Sequence, residues 1–361
     1  MHNRDIVRWL VETDAAALAD LYRQADRVRQ LNVGDQVHLR GLVEISNVCA
    51  RQCAYCGLRA PNRKLTRYTM RADEILECAQ AAFGLGYGTV VIQAGESQAL
   101  TAEWVAGVVR AIKSQMPLAV TLSLGERSLD DLALWRKAGA DRYLLRFETS
   151  DAELFRRIHP PVPGGVADRI ELLRGLRGLG YEVGSGVMIG IPGQSYDSLA
   201  RDIELFRELD LDMIGVGPFL PHPDTPLGHK QPLPHGRGSD RSHDREGVVG
   251  TKQVPNTEEM VYKVLALTRL VRPDANIPST TALATINTVN GRELGLARGA
   301  NVVMPNLTPM RYRRHYEIYP NKACIDERPS DCSRCLRGRI VSMGRLPGAG
   351  PGGRRREVVH V

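Results

Sequence analysis

The sequence predicts an α/β protein built as a parallel (βα)8 barrel of TIM type, with a helical segment before it and a cysteine-bearing segment after it. Three observations carry that prediction. Eight short, near-continuously apolar runs alternate with stretches whose apolar residues recur at three- and four-residue spacing. Polar or metal-capable residues stand at the C-terminal end of every run, where a parallel barrel collects its chemistry. The length of 361 residues, 43% hydrophobic and 25% charged, suits a large buried core and argues against a disordered or fibrous chain. A doubly wound open sheet would give a similar alternation, and the strand ends favour the barrel.

Taken in order, residues 1–37 read as a helical segment, on the amphipathic stretch Asp14-Ala-Ala-Ala-Leu-Ala-Asp-Leu-Tyr. The barrel is expected over 38–310, with strands at 38–47, 89–93, 119–124, 142–147, 182–191, 213–220, 277–283 and 301–307. Helices are expected between them at 72–83, 102–113, 129–137, 167–179, 197–208 and 257–270. A polar, Gly- and Ser-rich insertion at 231–252 has too little apolar surface to bury itself, and its His235 and His243 read as solvated. Residues 311–343 form a C-terminal segment with a second group of cysteines, and 344–361, rich in Gly, Pro and Arg, read as a disordered tail.

Charge and cysteine usage narrow the function. From Arg334 onward seven arginines stand against one acid, Glu357, which is six of the net seven positive charges, so the excess describes a solvated tail rather than a nucleic-acid groove. The charged N-terminus lacks a signal-peptide core, and no apolar run reaches the roughly 18 residues of a membrane span. A cytoplasmic protein without membrane or nucleic-acid partners is expected. In a reducing compartment, six of seven cysteines in two groups, Cys49/Cys53/Cys56 and Cys324/Cys332/Cys335, point to metal rather than disulfides. Structural zinc takes four ligands, whereas an iron–sulfur cubane held by three thiolates leaves one iron open. The strand ends also provision a cavity mouth for an anionic guest: Arg142 or Arg146, Thr280, Thr281 and Tyr316 as donors, and Met304 as a soft contact.

Cys49-x3-Cys53-x-Tyr55-Cys56, directly after the first strand, resembles the signature of the radical S-adenosylmethionine (SAM) superfamily. The resemblance implies a [4Fe–4S] cluster on Cys49, Cys53 and Cys56, with Tyr55 as the motif's aromatic residue. It also implies that Gln93, Gly95 and Glu96 meet the SAM amino group, that Glu148 meets the ribose, Arg169 the carboxylate, and Met188 the adenine. The stretches 217–227, 273–283 and 299–309, with Tyr312-x3-Tyr316-x2-Tyr319-Pro320, are similar to the HydE family, radical SAM maturases of FeFe-hydrogenase. That likeness implies a second iron–sulfur cluster on Cys324, Cys332 and Cys335, where structural zinc is the alternative. It further implies an iron–cysteine complex as substrate, HydG and HydF as companions, and ferredoxin or flavodoxin as electron donor. Methylornithine synthase and biotin synthase share the pattern more distantly. A non-catalytic iron–sulfur scaffold or zinc adaptor would leave the SAM-binding set without purpose.

Overall fold

The computed structural model describes residues 1–162, 168–228 and 253–354. The insertion expected at 231–252, with its two histidines, lies outside them.

Seven parallel strands form the wall: β1 (Gln36–Ser46), β2 (Thr89–Ala94), β3 (Ala119–Ser123), β4 (Arg142–Leu144), β5 (Glu182–Ile189), β6 (Met213–Pro218) and β7 (Val302–Val303). They pair in the order β6-β5-β4-β3-β2-β1-β7. The gap between β6 and β7 is closed by residues 276–278. Parallel bridges join Met213 to Asn276 and Pro278 to Val302, Ile214 N donates to Asn276 O at 3.0 Å, and Asn301 N donates to Ile277 O at 2.9 Å. The ring is thus a barrel with two thin staves. The seventh strand, expected over 277–283, is corrected to these few residues. Pro278 has no N–H for a ladder, and Thr280 accepts from Leu283 N at 3.3 Å, starting helix α10 (Thr281–Ile286) where a strand was expected.

The helices between staves begin where short polar side chains take up free N–H groups. Thr101 starts α4 (Ala102–Gln115), Ser128 starts α5 (Leu129–Lys137), Asp168 starts α7 (Arg169–Gly178) and Thr257 starts α9 (Glu258–Val271). The wall also carries α3 (Ala72–Gly84), α8 (Tyr196–Glu208) and α6 (Ala152–Ile158), the last not among the helices expected from the sequence. The N-terminal helices α1 (Asn3–Val11) and α2 (Ala15–Val33) lean on α8 and α9. There the Arg298 guanidinium sits between the rings of Tyr22 and Tyr262, 4.6 and 4.3 Å from their centroids.

Over residues 344–354 the base of the barrel overturns the reading of a disordered, solvated tail; the remainder of that segment, 355–361, lies outside the described residues. β8 (Leu346–Pro347) pairs with the start of β1, and the chain then crosses the base. Thr89 Oγ1 and Arg142 Nη2 both donate to Pro351 O, at 2.9 and 3.0 Å, and Arg40 Nη2 donates to Gly352 O at 2.9 Å. Arg354 bonds Asp274, Asp210 and Asp212 at 2.5, 2.8 and 3.0 Å. The approach is close enough that a Cβ on Gly88 would lie 1.8 Å from Gly350 O, so no side chain fits there. A glycine-rich segment buries few side chains, but its carbonyls satisfy guanidinium groups that the barrel buries. Arg345, 5% exposed, is likewise not a solvated charge.

Candidate active site

The loop after β1 is held by side chains that bond its backbone. Asn47 Nδ2 donates to Thr66 O and His315 O at 2.8 and 2.7 Å. Arg67 gathers four carbonyls, those of Asn47, Leu58, Arg59 and Asn62, at 2.6 to 3.0 Å. On the opposite side Gly95 touches the loop, where a Cβ would fall 2.4 Å from Val48 O and 2.9 Å from Cys49 Cβ. This close approach is why the β2 end carries glycine.

Cys49, Cys53 and Cys56 all face one cavity of about 370 Å³ that runs down the barrel axis. Burial pushes their thiols up, Cys53 to about 12, and the neighbouring thiols push Cys53 and Cys56 further in the same direction. Three thiols, buried or half-buried, that resist ionisation on their own are what a cationic metal centre converts to thiolates, so the donor set fits an iron–sulfur cluster.

Around them lies a network of buried charge. Arg51 Nε lies 2.5 Å from Glu96 Oε1, and Arg51 Nη2 bonds Glu126 Oε2. Arg169, the first residue of α7, donates from Nε to Glu126 Oε1 at 2.7 Å and from Nη1 to Arg146 O at 2.7 Å. Its Nη2 is 2.9 Å from His159 Nε2, and His159 Nδ1 is 3.0 Å from Cys53 Sγ. Burial raises the Glu126 carboxyl, but hydrogen bonds from this network and the Arg169 and Arg51 charges outweigh it and hold the group at about 2. Burial pushes His159 down, so the ring is neutral. Arg51, Glu126 and His159 were not singled out as site residues in the sequence; Glu126 stands at a strand end, but nothing local marks the other two.

Glu148 adopts φ 63°, unusual for a residue with a side chain. It is held there by Met188 N donating to its carbonyl at 3.1 Å, and by Ser150, whose N and Oγ both donate to buried Asp202 at 2.6 Å. Its Oε2 lies 3.0 Å from Arg146 Nη2 but makes no hydrogen bond.

Of the residues nominated from sequence, Tyr55, Gln93, Gly95, Glu96, Arg146, Glu148, Arg169, Met188, Thr280, Thr281, Met304 and Tyr316 line this cavity. Arg142 does not. It begins β4 rather than ending it, and bonds Glu182 and Thr89 at the base, at 2.5 and 3.0 Å. Its assignment to the guest site is corrected accordingly.

The second cysteine group lies outside the barrel. Cys324 Sγ, a Glu327 carboxylate oxygen and Cys332 Sγ lie within 4.8 Å of one another. Cys335 is one turn further along α13 (Pro329–Ser342), exposed and outside that trio, and Glu327 was not anticipated. The hydrogen bond with Cys332, and then Arg292 Nη2 at 3.2 Å, bring the Cys324 thiol down to about 6.

Residues 43–206 match the model of the Radical SAM superfamily. The chain is 43% identical over 336 residues to the "[FeFe] hydrogenase maturase subunit HydE" of Thermotoga maritima, covering 93% of this chain and 89% of that one. The chain belongs to the HydE family of radical SAM enzymes. The 3-methylornithine synthase of Methanosarcina acetivorans is 26% identical, over 91% of this chain and 85% of its own. The crystal structure of methylornithine synthase (PylB) superposes with a TM-score of 0.76 at 24% identity, covering 96% of this chain and 94% of that one, a likeness of fold. HydE-family membership brings the three-cysteine loop and the cavity beneath it into one frame, that of a [4Fe–4S] cluster used with SAM.

Proposed function

We propose that this chain cleaves SAM reductively and acts in assembly of the FeFe-hydrogenase active site, on an iron complex carrying cysteine held inside the barrel. The observation that carries the reading is a single cavity with three thiols at one end and hydrogen-bond donors along its wall. When bound, a reduced cluster with SAM supplies a 5′-deoxyadenosyl radical that abstracts hydrogen.

Cys49, Cys53 and Cys56 are the proposed cluster ligands. Because Glu96 is taken up by Arg51, the backbone beside Gly95 is what remains to meet the SAM ammonium. Glu148 Oε2, free of hydrogen bonds, is placed to accept from ribose hydroxyls, and Arg169 to meet the carboxylate. Met188, which lines the same cavity, would meet the adenine. Toward the substrate, Gln93 Nε2 donates to Tyr316 Oη at 3.1 Å, leaving the phenolic proton free to donate. Thr280, Thr281 and Arg146 add donors, and Met304 a soft contact. Cys324, Cys332 and Cys335 are proposed to hold the second cluster, and HydG, HydF and a ferredoxin or flavodoxin to be companions in the cytoplasm. In support of the last, no helix of the described residues is long and apolar enough to cross a membrane.

Methylornithine synthesis is the competing reading, and the wall argues against it. A lysine ammonium needs a carboxylate, and of the three acids lining the cavity Glu44 is bonded by Lys322 and Asn306 and Glu96 by Arg51, while Glu148 is the residue proposed above for the ribose. The test is complementation of a host lacking HydE but keeping HydG, HydF and apo-hydrogenase. Restored hydrogen production is expected; lysine turnover without complementation overturns the substrate and keeps the radical SAM assignment.

A further inference from the structure

The contacts of one buried histidine assign a role outside the three-cysteine signature. We propose that His159 donates a hydrogen bond from Nδ1 to the sulfur of Cys53, and thereby raises the reduction potential of the cluster that Cys53 helps to hold. The inference rests on the reading that Cys49, Cys53 and Cys56 are the cluster ligands.

The argument turns on where the imidazole proton sits. His159 follows α6 and is 4% exposed; its Nδ1 is 3.0 Å from Cys53 Sγ. The other nitrogen, Nε2, has two neighbours: Arg169 Nη2 at 2.9 Å and Glu126 Oε1 at 3.3 Å. The two contacts make opposite demands. A guanidinium has donors only, so the shorter contact requires a lone pair on Nε2, whereas the carboxylate would ask for a proton there. Glu126 Oε1 already accepts from Arg169 Nε at 2.7 Å, so it does not need the imidazole proton. Arg169 therefore serves both groups, Nε2 is the acceptor, and the single proton of the neutral ring lies on Nδ1, facing the sulfur. An imidazolium, with protons on both nitrogens, is excluded by the same Arg169 contact.

A hydrogen bond to a ligand sulfur withdraws electron density and favours the more negative, reduced cluster. His159 is thus a positioning residue that acts through Cys53. Arg169 fixes the tautomer, so the residue proposed to meet the SAM carboxylate also controls the donor on the cluster. Occupancy of the SAM site and the ease of cluster reduction are linked through two side chains.

The test uses the full chain with its clusters reconstituted, and follows the reduced EPR signal that changes when SAM is added. Poised with dithionite in the absence of SAM, His159→Leu is expected to have a more negative midpoint than the wild type. His159→Asn, whose amide N–H stands near the position of Nδ1, is expected to recover most of that shift. Because leucine at this buried position can cost the cluster itself, the unsubstituted protein labelled with 15N-histidine provides a second reading: pulsed EPR of the same signal should show coupling to a histidine nitrogen. An unchanged midpoint in cluster-bearing His159→Leu, or no 15N coupling in the labelled protein, overturns the hydrogen bond. If no wild-type signal responds to SAM, it is the assignment of the cysteine loop that falls.

Discussion

The two cysteine groups use the same ligand chemistry in opposite surroundings. In the barrel loop, three thiols sit in a cavity where burial pushes every one of them up, beside a bonded set of Arg51, Glu96, Glu126, His159 and Arg169. On the outer face, Cys324 lies half-buried beside Arg292 and Cys332, and its thiol is brought down to about 6. The inner site is costly to charge and rigidly framed; the outer one holds one readily ionised thiol, Cys324, whose partnership with Cys332 pushes the Cys332 thiol up. A reactive cluster that must leave an iron open benefits from the first arrangement, since a fixed frame restricts what reaches that iron. The second suits a metal held without a substrate.

Substitutions test that contrast, the largest effect first. Cys53→Ala should abolish 5′-deoxyadenosine formation from SAM and dithionite, because two thiolates do not hold a site-differentiated cubane. Cys332→Ala should lower iron per chain while the product is still made. Equal loss of product in both would mean that the two groups are not functionally separate.

Arg169→Ala removes three donors and leaves buried Glu126 with Arg51 as its remaining cationic partner. Cleavage should fall by about 10² or more, and unfolding free energy by about 3–5 kcal/mol, the usual cost of breaking a buried pair; denaturant melts and product assays read the two effects separately.

Glu126 carries a pH signature. Arg169 and Arg51 hold its carboxyl below an ordinary 4.5, so the stability it contributes is present above that value and is lost as pH falls below it. The stability gap between cluster-free wild type and Glu126→Gln should therefore close on acidification, and a gap constant with pH would contradict the ion network. Smallest of all, Glu327→Gln should weaken iron retention at the outer site and leave SAM cleavage alone, as read by iron content after chelator challenge.

Much of this was legible in the chain, and the misses have physical causes. Staves such as β2 and β3 announce themselves because they are buried on both faces. The segment at 276–278 does not, because Pro278 and the capping Thr280 end it before a period can show. Cys49-x3-Cys53-x2-Cys56 is visible because metal ligands on one loop keep their spacing. Arg51, Glu126, His159 and Arg169 come from four places in the chain, and no local pattern announces that they touch. Arg142 was misplaced by the ambiguity of a strand's ends, since an arginine at the start of an apolar run reaches the base and one near its end, like Arg146, reaches the mouth. The tail was misread because composition measures side chains, whereas what residues 351 and 352 contribute is carbonyl oxygen.

That last feature bears on how the molecule is made. Translation runs from β1 to β7 before residues 348–354 exist, so for a time a nascent chain has every stave of the barrel but no acceptors from Pro351 and Gly352 for Arg40 and Arg142. Through that interval Arg40 and Arg142 lack the carbonyl partners that the complete chain gives them. The base is thus satisfied by a segment with almost no apolar surface of its own.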